Sequence, residues 1–156
     1  VCLAGDEAVQ TDGGEVLTEG PVVGQYLADL KPQSGLAPAN GTLARYRLQE
    51  ILGYINSEIH KSYSPLFNPA TSDELRADRK EYLRKRYALL EATLAGQPFL
   101  TGDQFTVADA YLFTVTNWAR IVKLDLDGFP ALQAFQQRVA QRPAVQAAMK
   151  AEGLIK

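Results

Sequence analysis

Apolar residues recur along this chain at two different periods, and the change between them divides it. Two short extended stretches, 8–11 and 15–18, flank Asp12, Gly13 and Gly14. Asp-Gly and Gly-Gly pairs tolerate the positive φ of a tight turn, so this segment predicts a β-hairpin. Thr18, Glu19, Gly20 and Pro21 follow, where Thr or Glu can cap a helix and proline suits its first turn. Val22, Val23, Tyr26, Leu27 and Leu30 then fall on one helical face. From Lys31 to Pro38 the chain has the Pro, Gly and Ser content of a linker. The predicted organisation is a small strand-and-helix unit over 1–31, a linker over 32–40 and a helical domain over 41–156.

Beyond Gly41 only helical periods appear, with no internal repeat. Leu43, Tyr46, Ile51, Tyr54, Ile55 and Ile59 predict a long helix that stops before Pro65, whose ring lacks the N–H a helix needs. A second long helix, 72–95, places Leu75, Leu83, Tyr87, Leu90 and Leu94 inward. Its Arg76, Asp78, Arg79, Lys80, Glu81, Arg84 and Lys85 read as a solvated face. From Val107 to Val122 nearly every side is apolar, with Tyr111, Leu112, Phe113, Val115, Trp118, Ile121 and Val122, and such a helix belongs inside. Two shorter helices, 130–141 and 143–152, each open on a proline. The fold class is mostly α.

Composition narrows the function classes. The 156 residues suffice for one ordinary domain, or one plus part of another, and 46% hydrophobic against 22% charged residues is globular in character. A formal net charge of -2 gives no general electrostatic reason to bind nucleic acid or an anionic membrane. Cys2, the lone cysteine, can form neither an intrachain disulfide nor a cysteine-based zinc site, so no metal is expected and a reducing, cytoplasmic compartment is the simplest reading. The longest apolar run is interrupted by Asp109, Thr114, Thr116, Asn117 and Arg120 and falls short of the roughly 20 residues that span a bilayer. Val1 to Asp6 carries no initiator Met, basic flank or long apolar stretch, and reads as the middle of a longer protein.

Thr106-Val107-Ala108-Asp109 is a capping box: the Thr hydroxyl can accept from the Asp N–H while the Asp carboxylate reaches back to the Thr N–H. Thr106 and Asp109 are therefore assigned to folding. The wider segment Phe99-Leu100-Thr101-Gly102-Asp103-Gln104-Phe105-Thr106-Val107-Ala108-Asp109-Ala110-Tyr111-Leu112-Phe113 is more particular, and resembles the core-helix segment of the glutathione transferases. Gly14-Glu15-Val16-Leu17-Thr18-Glu19-Gly20-Pro21 with Gln25-Tyr26-Leu27-Ala28-Asp29 resembles the last hairpin and last helix of that family's thioredoxin-like domain. Glu58-Ile59-His60-Lys61-Ser62-Tyr63-Ser64-Pro65-Leu66-Phe67 and Arg142-Pro143-Ala144-Val145-Gln146, leading to Ala151-Glu152-Gly153-Leu154, are similar to the bacterial beta class.

The resemblance implies a transferase-like helical bundle preceded by a partial thioredoxin-like α/β domain, a hairpin plus one helix. It implies attack of the glutathione thiolate on a hydrophobic electrophile, in a homodimer. Glu19 matches the acidic residue that pairs with the γ-glutamyl ammonium, and Gly20 the helix-start N–H that meets the adjoining carboxylate. His60 and Lys61 match residues lining the cleft, as supporting catalytic groups, and Trp118 an aromatic of the acceptor site. Each has a plainer alternative: His60 and Lys61 as partners of a helix dipole, Glu19 as a first-turn acid, Trp118 as core.

Departures from the family pattern are as specific. Glu7 stands where the family carries a cis proline, Gly53 where the beta class has an asparagine reaching the partner subunit's glutathione, and the segment bearing the thiol-activating Cys or Ser has no counterpart. Cys2 has no helix start or basic neighbour to lower its pKa and reads as a bystander. Two expectations result: a beta-class transferase lacking its activating segment in this chain, or a non-catalytic helical module of the same shape that binds ligands or proteins.

Overall fold

The computed structural model describes residues 8–155. Cys2 and Glu7 lie outside them. The architecture is a two-stranded hairpin followed by helices around one core.

Strands β1 (Ala8–Gln10) and β2 (Val16–Thr18) pair antiparallel, with Val9 opposite Leu17. The Gly14 N–H donates to the Thr11 carbonyl at 2.9 Å, and Gly14 has φ 85°. A turn closed by one left-handed glycine thus joins the strands, at a position where a side chain would be strained. Helix α1 (Gly20–Asp29) begins without a side-chain cap: Glu19 occupies the cap position at φ 71°, ψ 111°, and only its carbonyl engages the helix, accepting from Val22 and Val23. The expected apolar face of α1 is only partly covered, with Val23 and Tyr26 half-buried. Val22, Leu27 and Leu30 are exposed, while Ala28 is buried and Gly24 faces Val107. Gly24 and Ala28, both small, let α1 approach α5 closely.

A 3₁₀ turn at Pro32–Ser34 leads the chain across the start of the buried helix, where the Leu36 carbonyl accepts from Val107 N–H at 2.9 Å. Helix α2 (Leu43–Tyr54) is capped by Thr42, whose hydroxyl oxygen accepts from Arg45 N–H at 3.2 Å. Arg45, 2% exposed, pairs with the Asp29 carboxylate at the end of α1 and donates to the Pro38 carbonyl at 2.7 Å.

The long helix does not stop before Pro65. After α2 it widens into a π-helical turn over Ile55–His60 and continues as α3 (Lys61–Phe67), with Pro65 inside. The ring's cost falls near the end of the helix, and Tyr63 and Leu66, both buried in the core on either side of it, hold the chain helical. His60 and Lys61 accordingly sit inside a continuous helical run and not at a helix end, so they do not complement a helix-terminal dipole.

Helix α4 (Asp73–Leu94) is capped by Ser72 and buries Leu83, Tyr87, Leu90 and Leu94, whereas Leu75 is exposed. Its charged face is not simply solvated. Arg76 donates to the carbonyls of Leu66, Asn68 and Thr71, Lys80 to that of Lys123 at 3.1 Å, and Arg84 to that of Asp125. These cations close the C-terminal ends of α3 and of the next helix, where carbonyls lack intrahelical partners.

Helix α5 (Val107–Val122) runs through the core with Leu112, Phe113, Val115, Thr116, Trp118 and Ala119 buried, although Ala110, Thr114, Arg120 and Ile121 form an exposed stripe. It ends at Lys123, φ 55°, with Leu124 N–H donating to the Ala119 carbonyl. Helix α6 (Pro130–Ala140) is capped from a distance by the Glu91 carboxylate, which accepts from Ala131 and Leu132 N–H at 2.9 and 2.8 Å. Helix α7 (Pro143–Ala151) packs peripherally, with no residue buried. No helix among the described residues is long and apolar enough to cross a membrane.

Candidate functional site

His60 closes the π-helical turn and meets α5. Its Nδ1 lies 2.5 Å from the Tyr111 hydroxyl, and that hydroxyl donates to Asn56 Oδ1 at 2.9 Å. Asn56 and His60 stand four residues apart on one side of the helical run, so a single tyrosine bridges both. The imidazole is edge-on to Trp118, with ring centroids 4.8 Å apart at 73°, and to the Tyr111 ring at 5.7 Å and 71°. Tyr111 and Trp118 are two turns apart on α5 and therefore share a face.

Behind Trp118, Tyr63 and Phe67 of α3 complete an aromatic cluster, with centroids at 5.7 and 5.6 Å and steep interplanar angles of 87° and 84°. Edge-to-face pairs of this kind add about 0.5–1.5 kcal/mol each beyond the area they bury. The Tyr63 hydroxyl meets that of Tyr87 at 2.9 Å, and Tyr87 donates to Thr116 Oγ1 at 3.3 Å. Burial pushes both phenols up, Tyr87 to about 12, so they stay neutral. The result is a half-buried imidazole against an uncharged aromatic wall, a setting that suits an apolar reactant beside a polar one.

The remaining sequence-predicted residues distribute as follows. Lys61 follows His60 but is exposed and forms no ion pair among the described residues. Glu19 and Gly20 sit at the start of α1, and among the described residues no hydrogen bond or ring contact links them to His60 or Trp118. Trp118, 8% exposed, is both a core residue and the wall against His60. Gly53 is exposed on α2 with open space around it.

Thr106 and Asp109 form the capping box and do more than cap. Asp109 Oδ2 accepts from Thr106 N–H at 2.7 Å and from its hydroxyl at 3.1 Å, while Oδ1 accepts from Leu100 N–H at 2.8 Å. The carboxylate thereby ties the 97–105 loop to the helix from which Tyr111 projects two residues later. Its burial pushes the carboxyl above the ordinary value of 3.8, against the opposing pull of the Leu100 and Thr106 donors.

Tyr111, Asn56, Tyr63 and Phe67 are absent from the sequence-predicted site. A signal existed for two of them: Tyr111 is seven residues before Trp118, and Asn56 four before His60, each on the same helical face. Two clefts lie elsewhere, one of ≈ 470 Å³ between α5 and α6, including Thr116 and Gln136, and one of ≈ 750 Å³ where residues 35–38 meet α2, including Leu43 and Gln104. Neither is lined by His60, Lys61 or Trp118. Among the described residues no group of three or more His, Cys, Asp or Glu side chains is arranged to hold a metal.

Comparison with known proteins joins this geometry to a family. Residues 54–143 match the family described as glutathione S-transferase, C-terminal domain. The glutathione S-transferase GstA of Escherichia coli O157:H7 is 44% identical over 147 residues, 94% of this chain and 73% of that protein. The solved ternary complex of BphK, a bacterial transferase, is 51% identical with a TM-score of 0.92, covering 94% of this chain and 73% of that one. The bacterial beta-class enzyme of Sphingomonas chungbukensis is 43% identical with a TM-score of 0.91, covering 95% and 74%. With its buried α5, its capping box and more than half of its length matched to one family, this chain belongs to the glutathione S-transferases.

Proposed function

We propose that the protein acts as a beta-class glutathione S-transferase, joining the glutathione thiolate to a hydrophobic electrophile in a cytoplasmic homodimer. The observation that carries this reading is the imidazole of His60 clamped between Tyr111 and the edge of Trp118 in a chain of this family. The similarity to a transferase named beta class supports the subclass.

In the proposed reaction the sulfur attacks as thiolate, forming a bond to the electrophilic carbon as that carbon's leaving group departs or its π electrons shift. His60 favours the thiolate by taking the thiol proton, directly or through a water, and Lys61 by holding positive charge near the sulfur. The thiol-activating residue is not assigned to this chain. Trp118, backed by Phe67, offers the acceptor an apolar wall. Glu19 receives the γ-glutamyl ammonium, and Gly20, at the first turn of α1, presents its N–H to the neighbouring carboxylate. A non-glycine residue at φ 71° is strained, and such strain gathers at ligand sites, which supports the reading of Glu19. Leu27 and Leu30 on α1, Leu43 and Tyr46 on α2 and Leu89 on α4 are exposed, apolar surface that a second subunit would cover.

Steady-state kinetics on His60→Ala and Lys61→Ala in the full-length protein, read beside thermal melts, test the assignment. The expected result is a loss of kcat/KM of tenfold or more for His60→Ala, about 1.4 kcal/mol of transition-state stabilisation, with a smaller loss for Lys61→Ala and little change in melting temperature. Turnover within about twofold of the parent alongside a lowered melting temperature would make both residues scaffold instead.

A further inference from the structure

We propose that Tyr111 and Asn56 set the tautomer of His60, keeping the proton on Nδ1 and leaving Nε2 as the basic nitrogen of the ring. The inference deepens the assignment of His60 to the transferase site and rests on that reading for its relevance to catalysis.

A phenol has one proton to give. The Tyr111 hydroxyl gives it to Asn56 Oδ1 at 2.9 Å, so the 2.5 Å contact with His60 Nδ1 is one in which the tyrosine oxygen accepts. The ring nitrogen must then be the donor. An imidazole that donates from Nδ1 carries its lone pair on Nε2 when neutral, and the partner of one nitrogen thereby decides what the other can do. Trp118, edge-on at 4.8 Å, and the Tyr111 ring, edge-on at 5.7 Å, limit rotation of the imidazole. Without these partners a histidine in water favours the opposite tautomer, with the proton on Nε2. The chain Asn56–Tyr111–His60 therefore has a chemical consequence: it converts Nε2 from a donor into an acceptor, able to take a proton from a thiol or from a water bound to one. Asn56 and Tyr111 are positioning residues in this account and act only through the ring.

His60 is the sole histidine of this sequence, and in the full-length protein its ring signals are identified as those lost in His60→Gln. Long-range ¹H–¹⁵N correlation spectra of the full-length protein labelled at histidine, taken at a pH where the ring is neutral, report which nitrogen bears the proton. The expected parent spectrum has a protonated Nδ1 and an unprotonated Nε2. Tyr111→Phe should exchange the two nitrogen environments. Asn56→Ala should do the same with Tyr111 retained, because the freed hydroxyl proton then turns toward Nδ1. Asn56→Asp supplies an acceptor-only partner and should restore the parent pattern. A parent ring protonated on Nε2, or an unchanged spectrum in Asn56→Ala, would overturn the proposal. The two Asn56 variants keep the test decisive should Tyr111→Phe fail to fold. Since the spectra require no turnover, a correct tautomer with unaffected His60→Ala kinetics would defeat the transferase assignment of His60 alone, and the reverse result would defeat the tautomer alone.

Discussion

Helices α1 and α5 both begin after a threonine and an extended segment, and both are rich in apolar residues, yet their settings are opposite. The start of α5 is closed by a reciprocal capping box and the Leu36 carbonyl, and half of its residues are buried. The start of α1 has no side-chain cap, its preceding residue is strained at φ 71°, and Val22, Leu27 and Leu30 are exposed. Helix α5 is thus specified by its own ends and neighbours, whereas α1 is held by a small-residue contact with α5, the Arg45–Asp29 ion pair at its far end, and hydrogen bonds from Asn40 to Asp29 and from Gln49 to Gln25. Stability concentrates in the first, and the features proposed to meet glutathione concentrate in the strained start of the second.

The sharpest way to break the contrast is at Asp109. Asp109→Ala removes the acceptor of the Leu100 and Thr106 N–H groups and leaves both donors buried, at about 1–3 kcal/mol each, so a loss of roughly 3 kcal/mol or more is expected from urea denaturation. The pH dependence has a definite sign. A carboxyl whose folded pKa lies above its ordinary 3.8 binds a proton more readily in the native state, so its contribution is greatest below 3.8 and declines as pH rises through the folded value. Compared with the titration-silent Asp109→Asn variant, the parent should therefore lose relative stability as pH rises from 3.8. A flat difference would show that burial and hydrogen bonding cancel.

Arg45 tests the other end of α1. Arg45→Ala severs the links to Asp29 and Pro38 and empties a buried site, for an expected cost of about 2 kcal/mol, moderated because Asp29 is itself 41% exposed. Hydrogen exchange should show α1 amides losing more protection than those of α5. Equal loss in the two helices would mean that α1 is not the more weakly held.

The smallest expected effect lies at Glu19, and its sign matters more than its size. Glu19→Gly should relieve backbone strain and raise stability by a few tenths to about 1 kcal/mol. Calorimetry on the same variant should find weaker glutathione binding if Glu19 receives the γ-glutamyl ammonium. A destabilised variant would show that the φ of 71° is tolerated by contacts the glycine cannot make.

Features governed by residues close in sequence were legible from the sequence. The bounds of α5, its capping box, the hairpin around Gly14, the prolines opening α6 and α7 and the family resemblance of 99–113 all rest on periodicity and capping, which act over a few residues. Tertiary structure decided the rest. Pro65 stays helical because flanking side chains bury themselves, α1 turns its glycine–alanine side inward because a neighbouring helix comes close, and Arg76, Lys80 and Arg84 find carbonyls presented by other elements. The site follows the same division. His60 and Trp118 could be named from short motifs, but the hydroxyl that holds the imidazole comes from a residue 51 positions away, and only the crossing of the π-helical turn with α5 brings the two within hydrogen-bond reach.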